Sequence, residues 1–168
     1  RKLLGTLGVV LFVLAIFMAT ALPWAWIDSG TDGLTPWLVA IGLTGGVGLL
    51  LALWGRPRRE HWRTHQGGAT GRAGANELSR REALAVVALS WVVCGAFGGL
   101  PFLTTGMVDT PADALFEAVS GVTTTGSTIL TEIGSQSRAV LWWRSLLQWL
   151  GGMGIIVFFL AIFPQAGG

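Results

Sequence analysis

The sequence has no tyrosine, a single cysteine and little charge, with only 12% of its 168 residues being Asp, Glu, Lys or Arg. One thiol, Cys94, set inside an apolar run, excludes a disulfide framework and any metal centre built from thiolates. The two histidines, His61 and His65, have no third ligand nearby and read as solvated loop residues. No Ser-His-Asp or flavin arrangement is present, and Ser120 lacks the glycine two residues before it that a nucleophile elbow needs. The glycines from Gly67 to Gly74 lack the Gly-Lys-Ser/Thr ending of a phosphate loop and read as a flexible linker. Neither an enzyme nor a resident cofactor is expected.

What the chain has in quantity is apolar surface: 52% hydrophobic residues, nine Trp, 25 Gly and a mean hydropathy of +0.63. Runs of about 20 apolar residues between short polar patches place it in the membrane class and exclude a soluble catalytic domain. The pI near 9.5 does not point to nucleic acid, because the basic residues cluster in loops between apolar runs, where they act as topological signals.

Four spans are expected. The first runs from Leu3 to Trp26, with Pro23 and the Trp24 and Trp26 pair at its interfacial exit. It is too long for the apolar region of a signal peptide and reads as a retained membrane helix. A turn through Asp28, Gly30, Asp32 and Gly33 leads to the second span, Leu34 to Trp54, with Thr35-Pro36 near its start. Residues 1–54 thus form a helical hairpin. A basic loop, 55–82, carries Arg56, Arg58, Arg59, Arg63, Arg72, Arg80 and Arg81, and ends on Ser79 and Glu82 at capping-box spacing. The third span is Ala83 to Thr104, and the fourth is Ala139 to Phe163, stopping at Pro164. Arg1, Lys2 and the basic loop face the cytoplasm under the positive-inside rule, since the loops on the other side carry Arg138 alone.

Between spans three and four, Thr110 to Leu130 reads TPADALFEAVSGVTTTGSTIL, too polar to cross and too apolar for a solvated loop. Thr110 as N-cap, Pro111 at the first helical position and Asp113 three residues after the cap predict a helix from Pro111 to about Ser120. Such a helix is about 15 Å long, half a hydrocarbon core, so the segment is expected to be re-entrant. The negative end of its dipole then points toward the bilayer centre and favours a cation. Non-helical backbone at that depth is tolerated only where it is buried in protein or lines water. Three consecutive threonines favour extended backbone, and Gly126 permits dihedrals that aim a carbonyl at an axis. The backbone carbonyls of the return stretch, Val122, Thr123, Thr124, Thr125, Gly126 and Ser127, are therefore candidate ligands for a monovalent cation such as potassium, in a filter that needs no acidic side chain.

Two ionisable residues lie close to membrane depth, Glu117 on the short helix and Arg144 near the start of the fourth span. They either support the filter from behind, through each other, or stand apart, with Arg144 snorkelling to the interface and Glu117 facing water. Gly151, Gly152 and Gly154 are candidates for close helix packing or for a gating hinge. Cys94 and the three Met read as packing residues.

The stretches FEAVSGVTTTGST (Phe116 to Thr128) and RSLLQWLGGMGIIV (Arg144 to Val157), with the hairpin before them, resemble the first pore repeat of TrkH-type subunits in the Trk/Ktr/HKT potassium transporter superfamily. The resemblance covers essentially the whole chain. It implies an all-α integral membrane fold, a helical hairpin followed by one helix, re-entrant pore helix and filter loop, helix repeat over residues 83–168. It implies potassium uptake across the bacterial inner membrane, with potassium as transported substrate and filter carbonyls at Thr123 to Gly126. It also implies a homodimer of pore subunits and a cytosolic nucleotide-binding regulatory subunit of the TrkA kind. The Thr-Thr-Thr-Gly-Ser signature occurs once, and one strand cannot encircle an ion. The remaining repeats are expected downstream in a longer chain, or as further copies of this one. Other readings of the same residues are a non-conducting structural or assembly membrane subunit and a sodium-permeable relative on the same scaffold.

Overall fold

A computed structural model of the chain describes residues 2–55 and 80–162, and every regular element among them is helical. The first helix, α1 (Lys2–Ala19), is followed by a two-residue turn in which Thr20 N and Ala21 N donate to Phe17 O and Met18 O at 3.1 and 3.0 Å. Helix α2 (Leu22–Trp54) starts at once, with Pro23 in its first turn. The close approaches of Gly5 to Gly55, Gly8 to Ala52 and Gly48 to Phe12 are centred on residue 30, so the chain reverses at Gly30, within the turn expected from the sequence. Ala21 keeps right-handed helical dihedrals (φ −81°, ψ −16°), so Thr20-Ala21 is a bend, and Pro23 just after it sacrifices no hydrogen bond because the N–H at a helix start has no intrahelical partner. Within the stretch expected as the turn, Asp28 to Gly33, Gly30 has φ of 59° and ψ of −139° and breaks α2 at a kink where the chain folds back, so that a Cβ on Gly33 would stand 2.6 Å from Ala25 O.

The two helices of the hairpin approach most closely through glycines. A Cβ on Gly8 would stand 2.3 Å from Ala52 N, and one on Gly48 would stand 2.8 Å from Phe12 N. Small residues that let backbones meet are the usual basis of helix association in lipid, where apolar burial drives nothing. From residue 80 onward come α3 (Arg80–Gly98), the short α4 (Leu100–Thr104), α5 (Pro111–Val122), a 3-10 turn at Ile133–Ser135 and α6 (Arg138–Ile162).

Helix α2, and α3 with α4 over Leu84–Thr104, are each long and apolar enough to cross a bilayer. With 25 residues, α6 is about 37 Å long, a length that matches a hydrocarbon core, whereas α5, with 12, reaches only about 18 Å. The large side chains Trp37, Phe102, Trp143 and Leu147 are fully buried where α2, α4 and α6 meet around α5. Val9, Phe12, Ile16, Leu50, Val92 and Ile156 point outward instead, as a lipid solvent allows. The fold is an all-α integral membrane hairpin followed by one helix, re-entrant helix and loop, helix unit. Arg56 to Arg72, His61, His65, the Gly67 to Gly74 stretch, the Ser79 cap and the Pro164 stop lie outside the described residues.

Candidate functional site

The site grows from the cap of α5. Thr110 has extended backbone (φ −121°, ψ 148°), its Oγ1 accepts from Asp113 N at 3.1 Å and donates to Asp113 Oδ2 at 2.7 Å, and Pro111 follows. One face of the helix, Ala114, Glu117, Ala118 and Gly121, is buried at helical spacing against the neighbouring helices. Glycines make this seat: a Cβ on Gly99 would be 2.7 Å from Ala114 O, and one on Gly121 3.1 Å from Leu147 Cβ. The opposite face exposes Leu115, Phe116 and Val119.

At its C-terminus α5 ends in a Schellman motif. Thr124 N donates to Gly121 O and Thr125 N to Ser120 O, both at 2.9 Å, with Thr124 in the left-handed region at φ 58°. Thr123 N and Gly126 N also turn inward, to Val119 O at 2.8 Å and Ser120 O at 3.4 Å. The threonine run is therefore not uniformly extended, as its β-branching led one to expect. The orphan carbonyls at the helix end capture the N–H groups that follow and bend the chain first, and the extended return begins only after Thr124. A β-branched residue at positive φ is strained by about 1–3 kcal/mol, the kind of strain that collects at functional sites. Among the described residues, no hydrogen bond reaches the carbonyls of Thr123, Thr124, Thr125 or Gly126.

Behind this loop the two ionisable residues meet. Arg144 Nη1 donates to Glu117 Oε2, and the Glu117 side chain is only 1% exposed. Glu117 Oε1 accepts from Thr128 Oγ1 at 2.5 Å and from Ile129 N at 2.9 Å, while Arg144 Nη1 also donates to Thr128 Oγ1 at 3.1 Å. One carboxylate thus joins α5, the returning segment and α6. The alternative placement, Arg144 snorkelling outward and Glu117 in water, is not what the side chains do. Ser120 Oγ ties the segment once more, donating to Ser127 O at 2.6 Å.

Gly126, at φ 75°, sits over Gln148, whose Nε2 would be 3.3 Å from a Cβ placed there. Gln148 also lines, with Glu117, Ser127 and Arg144, a cavity of about 10 Å³ under the loop. Sequence reasoning passed over Gln148 and Thr128. Gln148 lies four residues after Arg144 on the same helical face, and Thr128 closes the same polar run, so both carried a usable signal. Of the three glycines, Gly151 is a close-packing position: a Cβ there would lie 1.9 Å from Val122 O. A Cβ on Gly152 would have Thr124 Cγ2 nearest at 4.0 Å, and one on Gly154 would meet Trp91 Nε1 at 3.5 Å.

Residues 64–168 match the family model of TrkH, described as a cation transport protein. The chain is 37% identical over 169 residues to the Trk system potassium uptake protein TrkH of Halomonas elongata, covering 99% of this chain and 31% of that relative. The TrkH protein of Escherichia coli K12 is 48% identical over 92 residues, 54% of this chain and 19% of the relative. The crystal structure of the potassium transporter TrkH from Vibrio parahaemolyticus superposes with a TM-score of 0.77 at 28% identity, over 96% of this chain and 31% of that one. The chain spans under a third of the length of these relatives.

Proposed function

The chain belongs to the TrkH family of cation transport proteins, and from that premise we propose that it contributes one of four filter strands to a potassium uptake path across the cytoplasmic membrane. The observation that carries this reading is the end of α5, where four successive N–H groups turn inward and leave the carbonyls of Thr123, Thr124, Thr125 and Gly126 without protein partners among the described residues. Those oxygens replace the hydration shell of a potassium ion, and three further strands, in the remaining repeats, complete the ring. The loop's own N–H groups occupy the last helical carbonyls, so coordination falls to the loop and the α5 dipole adds a favourable field. Exposed Asp109 and Glu132 raise the local cation concentration at the outer mouth.

In this reading residues 1–54 form a hairpin with a cytoplasmic N-terminus, 55–82 form a basic cytoplasmic loop, and 83–168 form the first pore repeat. Glu117 and Arg144 hold the filter from behind, and Gly151 seats the end of α5 on α6, while Gly154 faces Trp91 of α3 and Gly152 stands clear. The exposed Leu115, Phe116 and Val119 face the other repeats. A second pore subunit and a TrkA-like nucleotide-binding partner complete the system.

The test is Gly126→Val in the full-length gene product, expressed in a bacterium that lacks its own potassium uptake. A branched side chain at φ 75° is strained by about 1–2 kcal/mol, and its Cβ would press on Gln148 Nε2 at 3.3 Å. Membrane insertion is expected to be normal and growth on low potassium to be lost. Wild-type potassium over sodium selectivity in the variant would remove the filter assignment. A wild type that moves sodium equally well would favour the sodium-permeable reading.

A further inference from the structure

The first hairpin carries no filter loop, yet it is joined to the filter through one turn of α6. Trp142, Trp143 and Arg144 point three ways. Trp142 Nε1 donates to Thr20 Oγ1 at 3.0 Å, and its ring lies 6.0 Å from that of Trp24, so it holds the bend between α1 and α2. Trp143 stands edge-on to Trp37 of α2, with ring centroids 6.5 Å apart, and donates to Gly98 O at 2.9 Å. Arg144 holds Glu117 and Thr128.

A second tie fixes the start of α6. Its local cap is Ser137, whose Oγ accepts from Val140 N at 3.4 Å. The N–H of the first helical residue, Arg138, donates instead to Asp28 Oδ2 at 2.6 Å, a residue 110 positions away on α2, just before the kink at Gly30. Asp28 is thus a helix cap supplied from the hairpin, an anion at the positive end of the α6 dipole. The Arg138 side chain, 66% exposed and 3.6 Å from Asp28 Oδ1, adds little.

We infer that the N-terminal hairpin is a positioning element of the filter, acting through Asp28 and Trp142, which set the axial and rotational register of α6 and so the place of Arg144. The inference rests on the proposed role of Thr123 to Gly126 and gives the hairpin a part in ion selection that its own sequence does not supply. Arg144 lies less than two turns from the residue that Asp28 caps, within the rigid reach of one helix.

The experiment uses the full-length gene product reconstituted in liposomes, with potassium and sodium fluxes measured for wild type, Asp28→Ala, Asp28→Asn, Arg138→Ala and Thr20→Val. Hydrogen exchange is followed in parallel across residues 123–130. Asp28→Ala is expected to reduce potassium over sodium selectivity by about tenfold, the equilibrium factor carried by a lost helix cap, and to speed exchange at Ile129. Asp28→Asn keeps the acceptor and is expected to restore most of both, Arg138→Ala to leave both near wild type, and Thr20→Val to shift both mildly. Should Asp28→Ala fail to fold, Thr20→Val carries the same test at the other tie. Wild-type selectivity and exchange in folded Asp28→Ala or, in its place, in Thr20→Val would overturn the inference while leaving the filter reading intact. A wild type without potassium preference would overturn both.

Discussion

Glu117→Leu is expected to destabilise the protein by about 3–5 kcal/mol and to abolish selectivity, because the substitution leaves a half-buried guanidinium without its counter-charge. Arg144, 17% exposed, loses its carboxylate, and Thr128 Oγ1 and Ile129 N lose their acceptor at the same time. Each buried donor left unmade adds about 1–3 kcal/mol. Glu117→Gln retains an oxygen for Thr128 and Ile129 and is expected to fall between wild type and leucine. The double variant Glu117→Leu/Arg144→Leu is the informative one. Exchanging both members of a buried pair for apolar residues is often close to neutral, so most of the stability should return. Selectivity should not return, since the strand from Ser127 to Leu130 still lacks its tether. Thermal unfolding in detergent and flux ratios in liposomes separate the two effects. Recovery of selectivity with stability in the double variant would show that the pair serves folding alone.

Gly151→Ala is expected to displace α5. The added Cβ would stand 1.9 Å from Val122 O and 2.7 Å from Val122 C, and both are backbone atoms that cannot rotate aside. Relief requires α5 and α6 to part by at least about 1 Å, which draws Glu117 away from Arg144 and shifts the loop that follows Val122. Overpacking of this kind costs about 3 kcal/mol, the upper end of its usual range. Gly152→Ala, with its nearest neighbour at 4.0 Å, is the control and should be neutral or slightly stabilising, because alanine gains up to about 1 kcal/mol over glycine in a helix. If the stretch were a gating hinge, the two variants would impair transport alike. If it is a packing surface, Gly151→Ala alone should do so, measured as potassium flux per folded protein.

The sequence spoke most clearly where local chemistry decides structure. Thr110, Pro111 and Asp113 announce a helix start by side-chain capping alone, and the structure places that cap as expected. Glu117 and Arg144 were conspicuous because charge at membrane depth demands a partner, although only packing of α5 on α6 makes them partners of each other. Less was legible where two local rules compete. Pro23 reads as the exit of the first span, yet it only follows a bend at Thr20-Ala21, and helix continues past it to Gly30. The threonine run favours extended chain by propensity, yet the unmet carbonyls of α5 impose the Schellman turn and hold Thr124 at φ 58°. Asp28 was invisible as a cap, since no sequence pattern joins it to a helix 110 residues away.

The most direct measurement is anomalous scattering from crystals of the full-length gene product grown with rubidium in place of potassium. The expected result is ion density against the carbonyls of Thr123, Thr124, Thr125 and Gly126, with Glu117 and Arg144 paired behind them. Rubidium bound elsewhere along the path, with these four carbonyls turned to protein or lipid, would contradict the filter assignment on which the proposed function stands.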